Sequence, residues 1–471
     1  MLLKSILLLA VLALAQDPRT LRNDRATVPE WLRHEVLVGR APLKGWGNEF
    51  TPSTAGLLKV TQGTDTLVFH PEFGMERRSL QSRGDLTEAM DGGIEVLGHK
   101  GGAQVYLDAR IFTESHTASK VYSYDREFIE SQKEGGLSHF SYLSYARYRA
   151  GLSYSGSLGT LGAKRDVLQW GPGVFHSLVF NSQSVPFAQA YYQGEVGPVR
   201  VMGLVGELSI DGDGKFRNTS ETRTVYAHRY EWNVSPNWLL GVSEQMIVFN
   251  EVAPAAIVPI VPLFMEKGQG LESSNNGNIA FDLSARLPKG LPLGGMVYGE
   301  FLVDDLQEPS SLFDNFWGNR WAGMWGVDLA KDLGRIQVGA IQEFVHIEPW
   351  VYTHYVENTA QAAHRGYPLG DQLGPNSKAF TSKLYVRKDL QWTTGVRMDW
   401  TWKGTDPGSQ VSDAIDVYKP VTKVFLAGVD HPTFQFGPTA TYTWRWITLD
   451  LEGRVANTRN QDWVARVFCK I

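Results

Sequence analysis

The sequence predicts an all-β protein: a transmembrane antiparallel β-barrel of about 18 strands, with long extracellular loops and a short N-terminal periplasmic segment. Three observations point there: alternating apolar and polar residues, an export signal, and connections that are short at one end and long at the other. Residues 390–402, LQWTTGVRMDWTW, show the alternation best. Leu390, Trp392, Thr394, Val396, Met398, Trp400 and Trp402 share one face, and Gln391, Thr393, Gly395, Arg397, Asp399 and Thr401 the other. Strand side chains point alternately to opposite faces, so one face is greasy and the other polar. The alternative is a soluble sandwich with these tryptophans in its core. Strand length argues against it: soluble strands run to about 5–6 residues, membrane strands to about 9–11, and the segments here match the longer class.

The export signal occupies residues 1–15, with Lys4, an apolar run from Ile6 to Leu12, and Ala13-Leu14-Ala15 as a small-residue cleavage site. The run is too short to span a bilayer, and Asp17 follows at once. No cysteine follows the site for lipid attachment, and Cys469 is alone, so no intramolecular disulfide forms. The expected compartment is the Gram-negative outer membrane. Residues 16–62 read as a periplasmic N-terminal segment with one short helix after Pro29 (Glu30, Trp31, Leu32, Arg33), and residues 63–471 as the barrel.

Short turns are expected at 98–101, 155–157, 195–198, 234–237, 288–293, 332–334 and 388–389. Long polar stretches fall at 113–138, 211–222, 251–277, 304–319, 348–377 and 404–433. That asymmetry matches short periplasmic turns and long external loops. Both barrel ends face the periplasm, so the strand number is even. The stretch 423–429 therefore belongs to the external loop 404–433 rather than to a spanning strand. Strands are expected to start near 65, 92, 101, 139, 157, 187, 199, 223, 238, 278, 294, 321, 336, 378, 391, 434, 447 and 461.

Composition fits this reading. The chain holds 15 Trp, 18 Tyr and 22 Phe with 20% charged residues, enough aromatics for two membrane girdles beside a polar lumen. A net charge of -5 gives no reason to expect nucleic-acid binding. The polar faces carry both signs of charge, at Asp108, Arg110, Arg147, Arg149, Asp282, Arg286, Asp450, Glu452 and Arg454. Such residues pair across a lumen, and the Pro-punctuated apolar run 255–265 is expected to fold inward as a plug.

Signals for catalysis are weak, and the protein is expected to be no enzyme and to need no cofactor. It has no HExxH, GxSxG, P-loop or cysteine cluster. The stretch DGDGK from Asp211 resembles a calcium loop, but Lys215 stands at a ligand position and Phe216 at the required glycine, so it reads as a turn. His346, Glu348 and His354 have no established metal-ligand spacing. The loops are rich in groups that suit carbohydrate. Trp170, Trp317, Trp321, Trp350 and Tyr352 offer flat faces, and Asp304, Asp305, Asn315, Asn319 and Asn376 offer planar polar groups. Each aromatic has the membrane girdle as its alternative place.

Several segments resemble the Wzi family of capsule-assembly proteins: Trp170-Gly171-Pro172-Gly173, then Ser177-Leu178-Val179-Phe180-Asn181-Ser182 and Pro186-Phe187. Tyr124-Asp125-Arg126-Glu127-Phe128 precedes them, with Ser144-Tyr145-Ala146-Arg147. Asn278 with IAFDLSARL, Phe301-Leu302-Val303-Asp304-Asp305, Glu343-Phe344 and Glu348-Pro349-Trp350-Val351-Tyr352-Thr353-His354 follow in order. Gly366, Leu369-Gly370 and Gly374-Pro375-Asn376-Ser377 complete the set, which covers roughly 120–380. The resemblance implies an eighteen-stranded outer-membrane barrel that binds capsular polysaccharide at the cell surface as a lectin. Its partners would be that polysaccharide, outer-membrane lipid and the capsule export machinery. Family members can carry a periplasmic helical bundle, for which 16–62 is short. Trp170, Asp304, Asp305, Trp350 and Tyr352 are the candidate polysaccharide contacts. The rival functions are a passive diffusion channel for small solutes and an outer-membrane lipid hydrolase.

Overall fold

The computed structural model describes residues 58–470, apart from 63–64, 81–84, 118–119, 122–136, 139–141, 210–221, 259–261, 264–274, 289–290, 307, 357–358, 389–391, 416–421, 429–431, 445–446 and 457–462. The export signal, the helix after Pro29 and the DGDGK stretch lie outside the described residues.

Eighteen strands form the wall. The first nine are β1 Asp65–Leu80, β2 Asp85–Lys100, β3 Ala103–His116, β4 Tyr142–Gly156, β5 Gly159–Asp166, β6 Phe187–Val196, β7 Val199–Leu208, β8 Arg223–Ser235 and β9 Trp238–Phe249. The others are β10 Asn275–Arg286, β11 Gly294–Asp305, β12 Arg320–Leu333, β13 Ile336–Ile347, β14 Ser377–Lys388, β15 Trp392–Lys403, β16 Thr433–Trp444, β17 Ile447–Ala456 and β18 Trp463–Lys470. Each pairs antiparallel with the next, and β18 pairs back onto β1, from Glu72↔Lys470 to Ser79↔Trp463. The ring of hydrogen bonds therefore leaves no open edge, the condition for a sheet in lipid.

The short turns gather at one rim. Gly101-Gly102, Ser157-Leu158, Gly197-Pro198, Pro236-Asn237 and Gly334-Arg335 each join two strands there. Gly334 has φ 71° and nothing near the place of a Cβ, as a tight hairpin requires. The opposite, long-loop rim carries 117–141, 167–186, 209–222, 250–274, 306–319, 348–376 and 404–432. In β15, Val396 points outward and is 42% exposed, while Arg397 and Asp399 point inward and bond each other.

Three expectations need correction. The sheet begins before residue 63, because Leu58–Gln62 pairs with the first residues of β1 (Leu58↔Phe69 to Gln62↔Asp65). β2 starts at Asp85 rather than near 92, because Gly92 and Gly93 sit inside a paired strand opposite Phe73 and Glu72. The run from Ala255 does not plug the lumen. Ala253, Ala256 and Leu263 pack instead on Val205, Tyr226, Met246 and Val248. These four share the outward face of β7–β9 with the exposed Trp232, Trp238 and Leu240.

The lumen is not polar throughout. On β7 to β13 the inward positions include Met202, Leu204, Val225, Ala227, Ile247, Ala280, Leu302, Ala322, Met324 and Val345, all buried. They form one apolar cluster with Trp170, Leu178, Val179 and Phe180 from the connection 167–186, and Val351, Tyr352 and Leu369 from 348–376. Charged groups also occupy the inner face: buried among the apolar positions, as where Arg229 of β8 meets Asp282 of β10 at 2.6 Å, and more openly on the β1–β4 side. There Arg110 reaches Glu72 at 2.5 Å, Asp108 at 3.1 Å and Asp91 at 3.8 Å. Arg149 meets Asp166 at 3.8 Å. These pairs run along one strand or between strands one or two apart rather than across the lumen. The side chain of Asp450 lies outside the described residues.

Candidate functional site

The connection 167–186 folds into the barrel because wall carboxylates capture its backbone. Val174, Phe175 and His176 donate their N–H groups to Glu343 of β13 at 2.5, 2.8 and 2.9 Å. The Tyr298 hydroxyl donates to the same carboxylate at 2.6 Å. Leu178 donates to Glu300 of β11 at 2.9 Å. A turn inside a barrel cannot satisfy its own N–H groups, so a carboxylate at an inward position replaces water. Gly171 has φ 100°, and a Cβ there would stand 2.7 Å from a Glu300 oxygen, so this approach requires glycine.

His176 ties three elements together. Its Nδ1 lies 2.7 Å from Asp371, and its Nε2 lies 3.0 Å from Thr381 Oγ1 on β14. The Thr381 hydroxyl donates to Asp399 at 2.8 Å, so it accepts from the imidazole. Both ring nitrogens therefore carry protons. Burial alone would lower this histidine's pKa, but the Asp371 charge and hydrogen bond, with Glu343, raise it. The Asp–His–Thr order resembles a nucleophilic triad, but Thr381 is 1% exposed and spends its proton on Asp399. The group locks the loop and has no reactive hydroxyl. Among the described residues no cluster of three metal-ligating side chains occurs. His346 bonds Glu348 at 2.8 Å, and His354 bonds Thr359 at 2.7 Å.

Four of the five candidate contacts are buried, in this lock or beside it. Trp170 is fully buried, edge-on to Phe180 at 5.0 Å. Tyr352 donates its hydroxyl to Leu178 O at 2.9 Å, and its N–H to Asp304 at 2.8 Å. Burial, then the Asp371 charge, raise the Tyr352 pKa well above normal, so it stays a neutral donor. Asp304 is buried beside Arg320 at 3.6 Å. Trp350 is buried against Gly408. In this conformation none of the four presents a face to a ligand; Asp305, 40% exposed and 2.8 Å from Arg320, does.

Of the remaining sugar-friendly residues, Asn319 and Asn376 are buried. Trp321 stacks on His346 at 4.7 Å on the outer face, the place of a girdle aromatic. Asn315 and Phe313 are exposed, and Trp317 is half-buried. The connection 306–319 is fastened to 404–432 through Lys423. Its N–H donates to Asn315 O at 2.9 Å, and its ammonium donates to Asn319 O and lies 3.0 Å from Glu348. Burial would raise the Glu348 pKa, but His346 and Lys423 hold it below normal. Asp305, Asn315, Trp317 and Phe313 thus stand on a braced surface at the long-loop rim.

Sequence reading missed 167–186 as the plug, and with it Glu300, Glu343, His176 and Asp371. A signal was present: each glutamate sits at an inward position of an apolar strand, where a lone carboxylate needs donors.

The fold defines an antiparallel transmembrane β-barrel of the outer-membrane type, with the connection 167–186 folded against its inner face. No family model and no curated protein matches the chain. Solved structures do. It is similar to Wzi of Escherichia coli, described as an outer-membrane protein involved in group 1 capsule assembly and a carbohydrate-binding β-barrel. The identity is 14% over 86% of this chain and 84% of that one, with a TM-score of 0.57. A BenF-like porin from Pseudomonas fluorescens Pf-5 matches at 8% identity over 87% and 98% of the chains, TM-score 0.48. OpdQ of Pseudomonas aeruginosa matches at 9% over 87% and 99%, TM-score 0.47.

Proposed function

We propose that this chain is a non-enzymatic Wzi-type capsule-assembly barrel of the Gram-negative outer membrane that holds surface polysaccharide at its extracellular rim. The observation that supports this most is the connection folded into the lumen: 167–186 is locked to Glu300, Glu343, Asp371 and Thr381. A permeation path on the β7–β13 side would have to displace that buried core. What stays accessible is the braced rim with Asp305, Asn315, Trp317 and Phe313, a mixture of planar polar groups and rings that fits sugar hydroxyls and C–H faces. Trp170, Asp304, Trp350 and Tyr352 serve binding by holding this rim in place. Outer-membrane lipid surrounds the wall, and the capsule export machinery is the further partner the Wzi reading brings.

The test is retention of the cell's own capsule by the purified protein, together with surface capsule after deletion of the gene. Retention, and loss of capsule on deletion, are expected. Retention of none, with surface capsule unchanged, would overturn the reading. A second reading, a narrow solute channel, draws on one observation. The charged inner face of β1–β4 is packed less tightly than the plug, with Arg110, Asp91 and Asp108 each 15–20% exposed.

A further inference from the structure

Two polar side chains of the wall point the wrong way for a membrane barrel. Along β8, Tyr226, His228 and Tyr230 share the outward face with Trp232 and Val234, which are about half exposed. Along β9, Glu244, Met246 and Val248 share it with Trp238 and Leu240. His228 and Glu244 are register partners on that face. An ionisable pair turned toward lipid is costly, yet both side chains are buried.

The segment 252–258, with Leu263, covers them. The Ala256 carbonyl accepts from His228 Nε2 at 3.0 Å, which fixes the proton on that nitrogen. The Leu263 N–H donates to Glu244 at 3.1 Å, and the Ala253 N–H donates to the Tyr226 hydroxyl at 3.3 Å. The 3₁₀ turn Pro254–Ile257 closes further bonds, Ala256 N to Ala253 O at 3.1 Å and Val258 N to Ala255 O at 3.0 Å. Pro254, Pro259 and Pro262 carry no N–H at all. A backbone that must enter hydrocarbon needs this low number of open donors.

The other side of the segment is apolar and open. Val252, Ile257 and Val258 are 72%, 52% and 43% exposed. No charged residue occurs between Glu251 and Glu266. Water would be a poor solvent for that face, and the same strands turn Trp232, Trp238 and Leu240 outward on the wall. We propose that this segment re-enters the outer leaflet as an apolar strap, so that acyl chains meet Val252, Ile257 and Val258 rather than the wall strands beneath. An external loop thereby becomes part of the membrane-contacting surface, and the buried His228–Glu244 pair is its attachment point. The proposal does not depend on polysaccharide binding.

Single cysteines test it in a Cys469→Ser background: Ile257→Cys, with Val396→Cys as a lipid-facing reference and Ser310→Cys as an exposed-loop reference. Each is labelled with an environment-sensitive fluorophore and placed in phosphatidylcholine vesicles with or without brominated chains. At Ile257 the expected result is blue-shifted emission, with bromolipid quenching closer to Val396 than to Ser310 and little quenching by aqueous iodide. Emission and quenching closer to Ser310 would overturn the strap. Val252→Cys and Val258→Cys read the same surface at two more points, so one perturbed variant cannot decide the outcome.

Discussion

A carboxylate that accepts three consecutive backbone N–H groups holds a turn as an anion-binding nest holds an anion, with the roles of loop and ligand exchanged. Glu343 does this for Val174, Phe175 and His176. Hydrogen bonds to a charged group contribute about 1.5–3 kcal/mol each. Glu343→Gln keeps the volume, loses the charge and turns an NH₂ toward a donor. It should therefore lower plug stability by a few kcal/mol and open 167–186 to limited proteolysis. Two histidines add opposite pH dependences. His176 has a raised pKa, so its stabilisation is complete below the ordinary histidine value of about 6.5 and fades as pH rises through the raised value. His364 is pushed down to about 3 by burial and then by Arg365, Arg165 and Arg223. Its stabilisation is present above about 6.5 and is lost as pH falls from there toward 3. Unfolding temperature against pH should show both limbs. His364→Gln should flatten the acid limb and His176→Gln the alkaline one.

At the scale of elements, strand faces and rims make separable predictions. Val396 lies on the lipid side of β15 and Thr393 on the inner side, where its hydroxyl accepts from Arg387 at 3.3 Å. Val396→Arg should cost about 2–4 kcal/mol if it sits near the bilayer midplane, and Thr393→Arg much less. Equal losses in denaturant titrations would contradict the outward assignment. A cysteine at Ser310 should react with a membrane-impermeant maleimide on intact cells, and one at Asn237 should not; the reverse would invert the topology. The strands themselves were legible, because period-2 alternation and hairpin turns are local signals. In β7 and β12, VRVMGLVGEL and RWAGMWGVDL are apolar on both faces. The plug explains them: their inner faces pack against 167–186. The plug was not legible from its own residues, because its partners lie far off in sequence: 122 positions between Leu178 and Glu300, 169 between Val174 and Glu343, and 205 between His176 and Thr381. The strap was misplaced for a related reason. An apolar run signals burial but not which side of the wall buries it.

For the whole molecule, the plug and the rim proposed to bind polysaccharide are mechanically one system. The connection 348–376 supplies Asp371 and Tyr352 to the plug lock, and Glu348 and Asn376 to the rim. Asn376 donates to Ser409 at 2.8 Å and accepts from the Leu426 N–H at 2.6 Å, so the connection also braces 404–432. Loosening the plug should therefore loosen the rim. The intact protein should pass little current in planar bilayers, which separates it from a freely conducting porin. The double variant Glu300→Ala and Glu343→Ala removes the two wall glutamates that anchor 167–186 while leaving every lipid-facing residue in place. Its conductance should rise, and its retention of capsular polysaccharide should fall in the same preparation. The two effects share a cause: a plug released from β11 and β13 takes away the Leu178 carbonyl that holds Tyr352 and the imidazole that holds Asp371. Higher conductance with unchanged retention would show that the rim is braced without the plug. A large, steady current from the unaltered protein would favour the channel reading instead.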